Sequence, residues 1–111
     1  MSTGLAWLLL VCAGLLEISW LVAMKYSEGF TRLWPTVLIF MLGTLSFYLL
    51  SLCLKAIPIG TAYVVWTGIG ALGGAIVGMV LFNEPRDAWR LASIALVLAG
   101  IVGLKLTGTA R

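Results

Sequence analysis

The sequence predicts an all-α integral membrane protein with four transmembrane helices. Hydrophobic residues make up 62% of the 111 residues and charged residues only 10%, against about 45–50% and about 25% in soluble domains. A chain this short has too little interior to bury so many apolar side chains, so most of them must face lipid. The few charged residues also divide the chain into four long apolar stretches, which are the predicted spans.

The first predicted span covers residues 4–24 and is apolar except for Glu17. The span ends at the polar stretch of residues 25–34. A cleaved signal peptide is disfavoured here, because no basic residue precedes the apolar stretch, the stretch is too long, and it carries a carboxylate near its middle.

The second and third predicted spans, residues 35–54 and 59–82, contain no charged residue at all. Lys55 and Pro58 mark a tight turn between them. Both stretches reach the length of about 20 residues that crossing the hydrocarbon layer requires.

The fourth predicted span follows a turn at residues 83–87 and covers residues 88–106. Its uncharged part is short, so the span includes Arg90 and Lys105, whose long side chains can reach the lipid headgroups. Three tryptophans near span ends are expected at the membrane interface: Trp7, Trp34 and Trp89.

The connections between the spans are too short to hold a soluble domain, so we expect one transmembrane domain over residues 1–111 and no enzyme. The net charge of +3 is scattered rather than clustered, which argues against nucleic-acid binding. Cys12 and Cys53 lie in apolar stretches, and there is no histidine to join them in a metal site. We therefore expect no cofactor and no metal.

The basic residues give little guidance on orientation. Four spans place both termini on one side of the membrane, which receives Lys55, Lys105 and Arg111. The other side receives Lys25, Arg32, Arg86 and Arg90. Because the positive-inside rule has almost no bias to act on, two copies inserted in opposite directions could form an inverted repeat. A single, weakly biased orientation remains the alternative.

Glu17 is the ionisable residue deepest within any predicted span, about 20 Å along the first helix. An acidic residue at mid-membrane is expensive and is a functional candidate by default. Desolvation favours its neutral form, whereas a bound cation favours the charged form, so a proton and a cation should compete for it. The alternative is a neutral acid that is hydrogen-bonded between helices.

Several residues could line a cation site around Glu17. Gly14 and Trp20 share its helix face, and Tyr63 and Trp66 are three residues apart on the third span. Aromatic rings and their polar groups suit a cation beside a carboxylate, although packing against lipid or other helices would explain the same spacing. The hydroxyls of Ser46 and Ser51 could bond across helices.

Small residues recur every four positions on the last two spans. On the third span Gly70, Gly74 and Gly78 recur in this way, and Gly68 lies close by, which favours close packing, a hinge, or both. On the fourth span the repeat predicts a dimer seam formed by Ala95, Ala99 and Gly103.

The chain resembles the small multidrug resistance family over essentially its whole length. The most specific parts are residues 24–35, with the sequence MKYSEGFTRLWP, and residues 58–70, with the sequence PIGTAYVVWTGIG. Residues 17–20 (EISW), residues 66–71 (WTGIGA) and Lys105 resemble the guanidinium exporter branch more than the multidrug branch. Val64-Val65 replaces the more usual Ala-Ile, which is a conservative departure.

The resemblance implies an antiparallel homodimer in the bacterial inner membrane that exchanges guanidinium for protons by alternating access. Glu17 would bind both the proton and the substrate, and the site would be lined by Trp20, Ser46, Tyr63 and Trp66. Guanidinium is planar, permanently charged and offers donors that match a carboxylate. The alternatives are a multidrug exporter of quaternary ammonium and other lipophilic cations, and a cation channel or assembly subunit.

Overall fold

The computed structural model describes residues 2–108, which form four α-helices joined by short turns: α1 (Thr3–Tyr26), α2 (Leu33–Cys53), α3 (Ile59–Leu81) and α4 (Ala88–Gly108). All four are long and apolar enough to cross a membrane. This confirms the prediction of an all-helical fold with four candidate spans. Arg111, which the orientation argument counted, lies outside the described residues.

Local sequence explains where the helices begin. The Ser2 hydroxyl accepts a hydrogen bond from the Leu5 amide at 3.1 Å, and the Asp87 carboxylate accepts one from the Arg90 amide at 3.2 Å. Both side chains satisfy amides that have no partner within the helix. Pro35 lies in the first turn of α2, where its missing N–H does no harm, so α2 begins two residues before the position that the sequence indicated.

The four helices form a thin slab with extents of 43 × 36 × 17 Å. α1 packs against α2 and α3, while α4 packs against α3. One buried cluster joins the first half of α1, the end of α2 with the turn after it, and the first half of α3: Ala6, Trp7, Leu10, Ala13, Cys53, Ile57, Ala62, Val65 and Trp66. This cluster fixes the three helices relative to one another on one side of Glu17.

Most large apolar side chains point away from this cluster and are exposed, as expected of a protein whose solvent is lipid. Trp34 and Trp89 are among the most exposed. Trp7, which was expected at the interface with them, packs within the bundle and is only 6% exposed, so its ring does not face lipid. The Lys105 ammonium lies 5.6 Å from the centre of the Trp7 ring, a cation–π contact between the end of α4 and the start of α1.

Candidate functional site

Glu17 lies in the middle of α1 with its side chain turned toward α3. Its Oε1 atom is buried and has no hydrogen-bond partner among the described residues. No ion pair joins it to a lysine or arginine within residues 2–108. An acidic oxygen in this position needs either a proton or an external cation, because a buried charge without a partner is strongly disfavoured.

Gly70 of α3 makes room for the Glu17 carboxylate. A Cβ atom built on Gly70 would overlap the Oε1 and Cδ atoms of Glu17. One turn further along both helices, a Cβ on Gly74 would come within 2.8 Å of Leu21. The parallel helices α1 and α3 therefore keep the same pairing over successive turns, with a glycine of α3 beneath each of these α1 side chains.

Other small residues also allow close helix packing. A Cβ on Gly14 would lie 2.6 Å from the Ile69 side chain, so Gly14 brings α1 against α3 one turn before Glu17. A Cβ on Gly68 would lie 3.0 Å from Ile101, which places Gly68 at the contact with α4. α3 is a continuous helix here, and a hinge at its glycines stays a prediction.

Ser46 links all three helices that surround the site. Its buried hydroxyl donates a hydrogen bond to the Ala13 carbonyl of α1 at 2.8 Å and accepts one from the Trp66 indole of α3 at 3.0 Å. Ala13 lies one turn before Glu17, so this chain of bonds positions the carboxylate-bearing part of α1. Ser51 instead donates to the Tyr48 carbonyl of its own helix at 2.6 Å and joins no second helix.

Three aromatic rings lie together beside this hydroxyl. The Trp66 ring centre is 5.9 Å from that of Tyr63 and 5.7 Å from that of Phe47. Trp66 is buried, whereas Tyr63 and Phe47 are exposed on this single copy of the chain. Trp66 precedes Gly70 by one helical turn, so the rings lie to one side of the Glu17 carboxylate.

Trp20 lies three residues beyond Glu17 on α1, next to a cavity of about 190 Å³ between α1 and α2. Phe47 and Gly43 also line this cavity. The indole nitrogen of Trp20 is buried and, like Glu17 Oε1, has no hydrogen-bond partner in the described part of the chain. An unpaired donor and an unpaired acceptor are thus separated by less than one turn of helix.

The structure pairs several of the predicted site residues across α1, α2 and α3: Glu17 packs against Gly70, and Ser46 is hydrogen-bonded to Trp66. Gly14 packs against Ile69, the neighbour of Gly70. The predicted seam lies elsewhere, on an exposed face of α4, and its role stays a prediction: Ala95, Ala99 and Gly103. Sequence reasoning missed Phe47, because nothing distinguishes a site phenylalanine from a lipid-facing one in an uncharged span.

Comparisons with known proteins agree with this architecture. The family profile described as Small Multidrug Resistance protein matches residues 5–97. A protein named guanidinium exporter from Escherichia coli is 52% identical over 103 residues, which cover 93% of this chain and 98% of that protein. Proteins of the same name from Yersinia pseudotuberculosis and Salmonella typhimurium are 51% and 48% identical, over 92% and 93% of this chain and 98% of each relative.

These relatives are named as exporters rather than enzymes. With its four apolar helices, the chain is a multi-pass membrane protein, which in bacteria lies in the inner membrane. The profile match covers most of the chain, and each relative is matched over nearly its full length. The chain therefore belongs to the small multidrug resistance family.

Proposed function

We propose that this protein is a proton-coupled antiporter that exports guanidinium by alternating access, as an antiparallel homodimer. The observation that carries the proposal is the Glu17 carboxylate at the middle of α1, with one buried oxygen that has no partner among residues 2–108. The relatives named guanidinium exporters support guanidinium as the substrate.

The exchange follows from the requirement of Glu17 for a positive partner. In its protonated form the side chain is neutral and tolerates burial, and in its ionised form a bound cation must compensate the charge. One carboxylate cannot satisfy both at once, so binding of the cation releases the proton and protonation releases the cation. Thermodynamic linkage makes this antagonism equal in both directions.

The chemistry of guanidinium suits the groups around Glu17. Guanidinium is planar and can donate two parallel hydrogen bonds to a carboxylate, as an arginine side chain does. The exposed rings of Tyr63 and Phe47, which flank the buried Trp66, offer faces on which a flat cation can stack. The bonds that hold Ser46 to Ala13 and Trp66 keep these groups in place before the cation arrives.

A second copy of the chain would complete the site. Tyr63 and Phe47, which flank Trp66, are exposed on one copy, so the aromatic side of the proposed site is open to a partner. The small residues Ala95, Ala99 and Gly103 are exposed on α4 and would allow close approach of another helix. The nearly balanced basic residues favour a partner inserted in the opposite direction, which supplies the two-fold symmetry of alternating access.

Export of quaternary ammonium and other lipophilic cations is the second candidate function. The three neighbouring rings and the apolar cavity beside Trp20 favour it, because such cations bind by aromatic contact without donating hydrogen bonds. Comparing the affinity of the purified protein for guanidinium and for tetrapropylammonium at one pH separates the two. Equal or tighter binding of tetrapropylammonium would favour the second candidate.

The experiment that tests the proposal is guanidinium uptake into proteoliposomes driven by a pH gradient. The wild-type protein should exchange guanidinium for protons, and the Glu17→Gln variant should insert and dimerise but should not exchange. Glu28→Gln is a matched control, because Glu28 is an exposed glutamate in the turn between α1 and α2. Retained exchange by Glu17→Gln, or equal loss in Glu28→Gln, would contradict the proposal.

A further inference from the structure

A groove of about 350 Å³ opens between α1 and α3 at the end of the bundle that carries the α1–α2 and α3–α4 turns. We call this the loop-end cavity. It begins at Leu21 and Gly74, one turn beyond the contact of Glu17 with Gly70. It is lined by Leu21, Val22, Met24, Lys25, Gly74, Val77, Gly78, Phe82 and Glu84.

A second carboxylate lies over a glycine of α3 in this cavity. Asn83 adopts a φ of 56°, a left-handed conformation that asparagine tolerates better than most residues. The chain thereby turns back, and the Glu84 amide donates to the Gly78 carbonyl at 3.1 Å. A Cβ on Gly78 would lie 2.6 Å from the Glu84 Cδ atom. Glu84 thus packs against Gly78 at the end of the groove, as Glu17 packs against Gly70 in the middle of the span.

The Glu84 carboxylate already binds a guanidinium group, that of Arg90. Arg90 Nη2 lies 2.7 Å from Glu84 Oε1, across the turn between α3 and α4. Their side chains remain 32% and 47% exposed, and ion pairs with this much exposure are weak and easily opened. A free guanidinium ion carries the same donors as the arginine head group and can take its place.

We propose that Glu84 forms a second guanidinium site, in which the free ion competes with the Arg90 side chain at the end of the α1–α3 groove. The inference rests on the proposed function only in taking guanidinium as the substrate. The Phe82 ring lines the same cavity and offers a face for the planar ion, which the Lys25 ammonium, 5.3 Å from the ring centre, occupies in this state.

The two intrinsic cations make this a weak site. Free guanidinium can bind Glu84 only while the Glu84–Arg90 pair is open. The apparent affinity for guanidinium is therefore the intrinsic affinity multiplied by the fraction of time that the pair is open. Lys25 adds repulsion between like charges in the same cavity. A weak site near the loop-end surface would take up or release the ion without retaining it, whereas Glu17 would bind it deep in the membrane.

The test measures guanidinium binding in the Glu17→Gln background, where the mid-membrane carboxylate is absent. The probe is ¹⁵N-labelled guanidinium chloride, and its binding to protein in detergent micelles is followed by NMR. Adding Arg90→Gln should tighten the residual binding by at least about fivefold, because the tethered competitor has been removed. Adding Glu84→Gln as well should abolish that gain.

A second Glu–Arg pair supplies the matched control. Glu28 and Arg32 lie 4.0 Å apart in the turn between α1 and α2, where neither lines the loop-end cavity. Arg32→Gln in the Glu17→Gln background should leave guanidinium binding unchanged. If Arg90→Gln does not fold, Arg90→Lys keeps the charge but loses the planar donors, and should give a smaller gain of the same sign.

Several results would overturn the proposal. They are unchanged binding in the Glu17→Gln/Arg90→Gln protein, a gain that survives Glu84→Gln, and an equal gain from Arg32→Gln. None of these results would bear on the proposed exchange at Glu17, since every protein in this series already lacks Glu17. Conversely, failure of the exchange mechanism would appear as transport by Glu17→Gln itself, whatever the outcome at Glu84.

Discussion

The carboxylate of Glu17 occupies the space that a side chain on Gly70 would fill. The two residues lie on parallel helices near the middle of their spans. The acid that we propose to bind proton and cation fits against α3 only because Gly70 has no Cβ atom. Close approach of this kind requires glycine, since even alanine would displace the carboxylate.

Replacing Gly70 with alanine should therefore weaken guanidinium binding by about tenfold or more. Inserting a methyl group into a packed contact typically costs about 1–3 kcal/mol, and about 1.4 kcal/mol corresponds to a tenfold change in affinity. Isothermal titration of the purified protein with guanidinium at fixed pH measures the effect.

Gly60→Ala is the control for that substitution. Gly60 lies in the first turn of the same helix, and a Cβ there would meet no atom within 4 Å. Its affinity for guanidinium should equal that of the wild-type protein. Wild-type affinity in Gly70→Ala as well would show that the carboxylate does not depend on this space.

Ser46→Ala should destabilise the bundle by leaving the Trp66 indole without its acceptor. The bond of 3.0 Å between them is buried, and an unsatisfied buried donor costs about 1–3 kcal/mol. The midpoint of thermal unfolding in detergent should fall. Trp66→Phe should lower it less in the Ser46→Ala background than in the wild-type background, because the shared bond is already lost and only the packing of the larger ring remains to be lost.

Ser51→Ala provides the comparison, since Ser51 is exposed and bonds only within its own helix. Its midpoint should remain close to that of the wild-type protein. Equal effects of the two serine substitutions, or fully additive effects of Ser46→Ala and Trp66→Phe, would contradict a cross-helix role for the Ser46 hydroxyl.

The four helices were predictable because lipid leaves the backbone few choices. A segment that crosses the hydrocarbon layer must satisfy its own backbone hydrogen bonds, so an uncharged stretch such as 35–54 has to be helical. The rotation of each helix about its own axis was harder to predict from the sequence. Trp7 occupies a position near a span end that suits an interfacial aromatic, yet α1 is rotated so that this ring packs inside the bundle.

The site was predictable in its composition more than in its contacts. Glu17 stands out because charge inside a span is rare. Ser46 and Ser51 looked alike in sequence, and only the packing of α2 decides which of them reaches α1 and α3. The pairing of Glu84 with Arg90 depends on the left-handed turn at Asn83, which hydropathy patterns do not reveal.

Guanidinium affinity should fall as the pH is lowered. If binding displaces one proton from Glu17, the apparent affinity should fall by about tenfold for each unit of pH below the range in which that side chain ionises. Above that range it should reach a plateau, because no proton remains to be displaced. Titrations across pH measure this, and binding that is indifferent to pH would end the proposal of exchange at Glu17.

Trp20→Gly should shift selectivity toward larger cations. The Trp20 side chain lines a cavity of about 190 Å³ that Phe47 also lines, so removing the indole enlarges that cavity within one helical turn of Glu17. Guanidinium needs donors matched to a carboxylate, whereas tetrapropylammonium needs room and aromatic contact. The affinity ratio of guanidinium to tetrapropylammonium should therefore fall by about tenfold or more, which competition titrations at one pH can measure.

Trp89→Gly is the control for this selectivity change, because Trp89 is 84% exposed at the start of α4, away from Glu17. Both variants lose an indole and gain a helical glycine, so any general loss of helix stability should affect them alike. A shift confined to Trp20→Gly assigns the effect to the space beside Glu17. Equal selectivity in the wild-type protein and Trp20→Gly would mean that Trp20 does not limit the size of the bound cation.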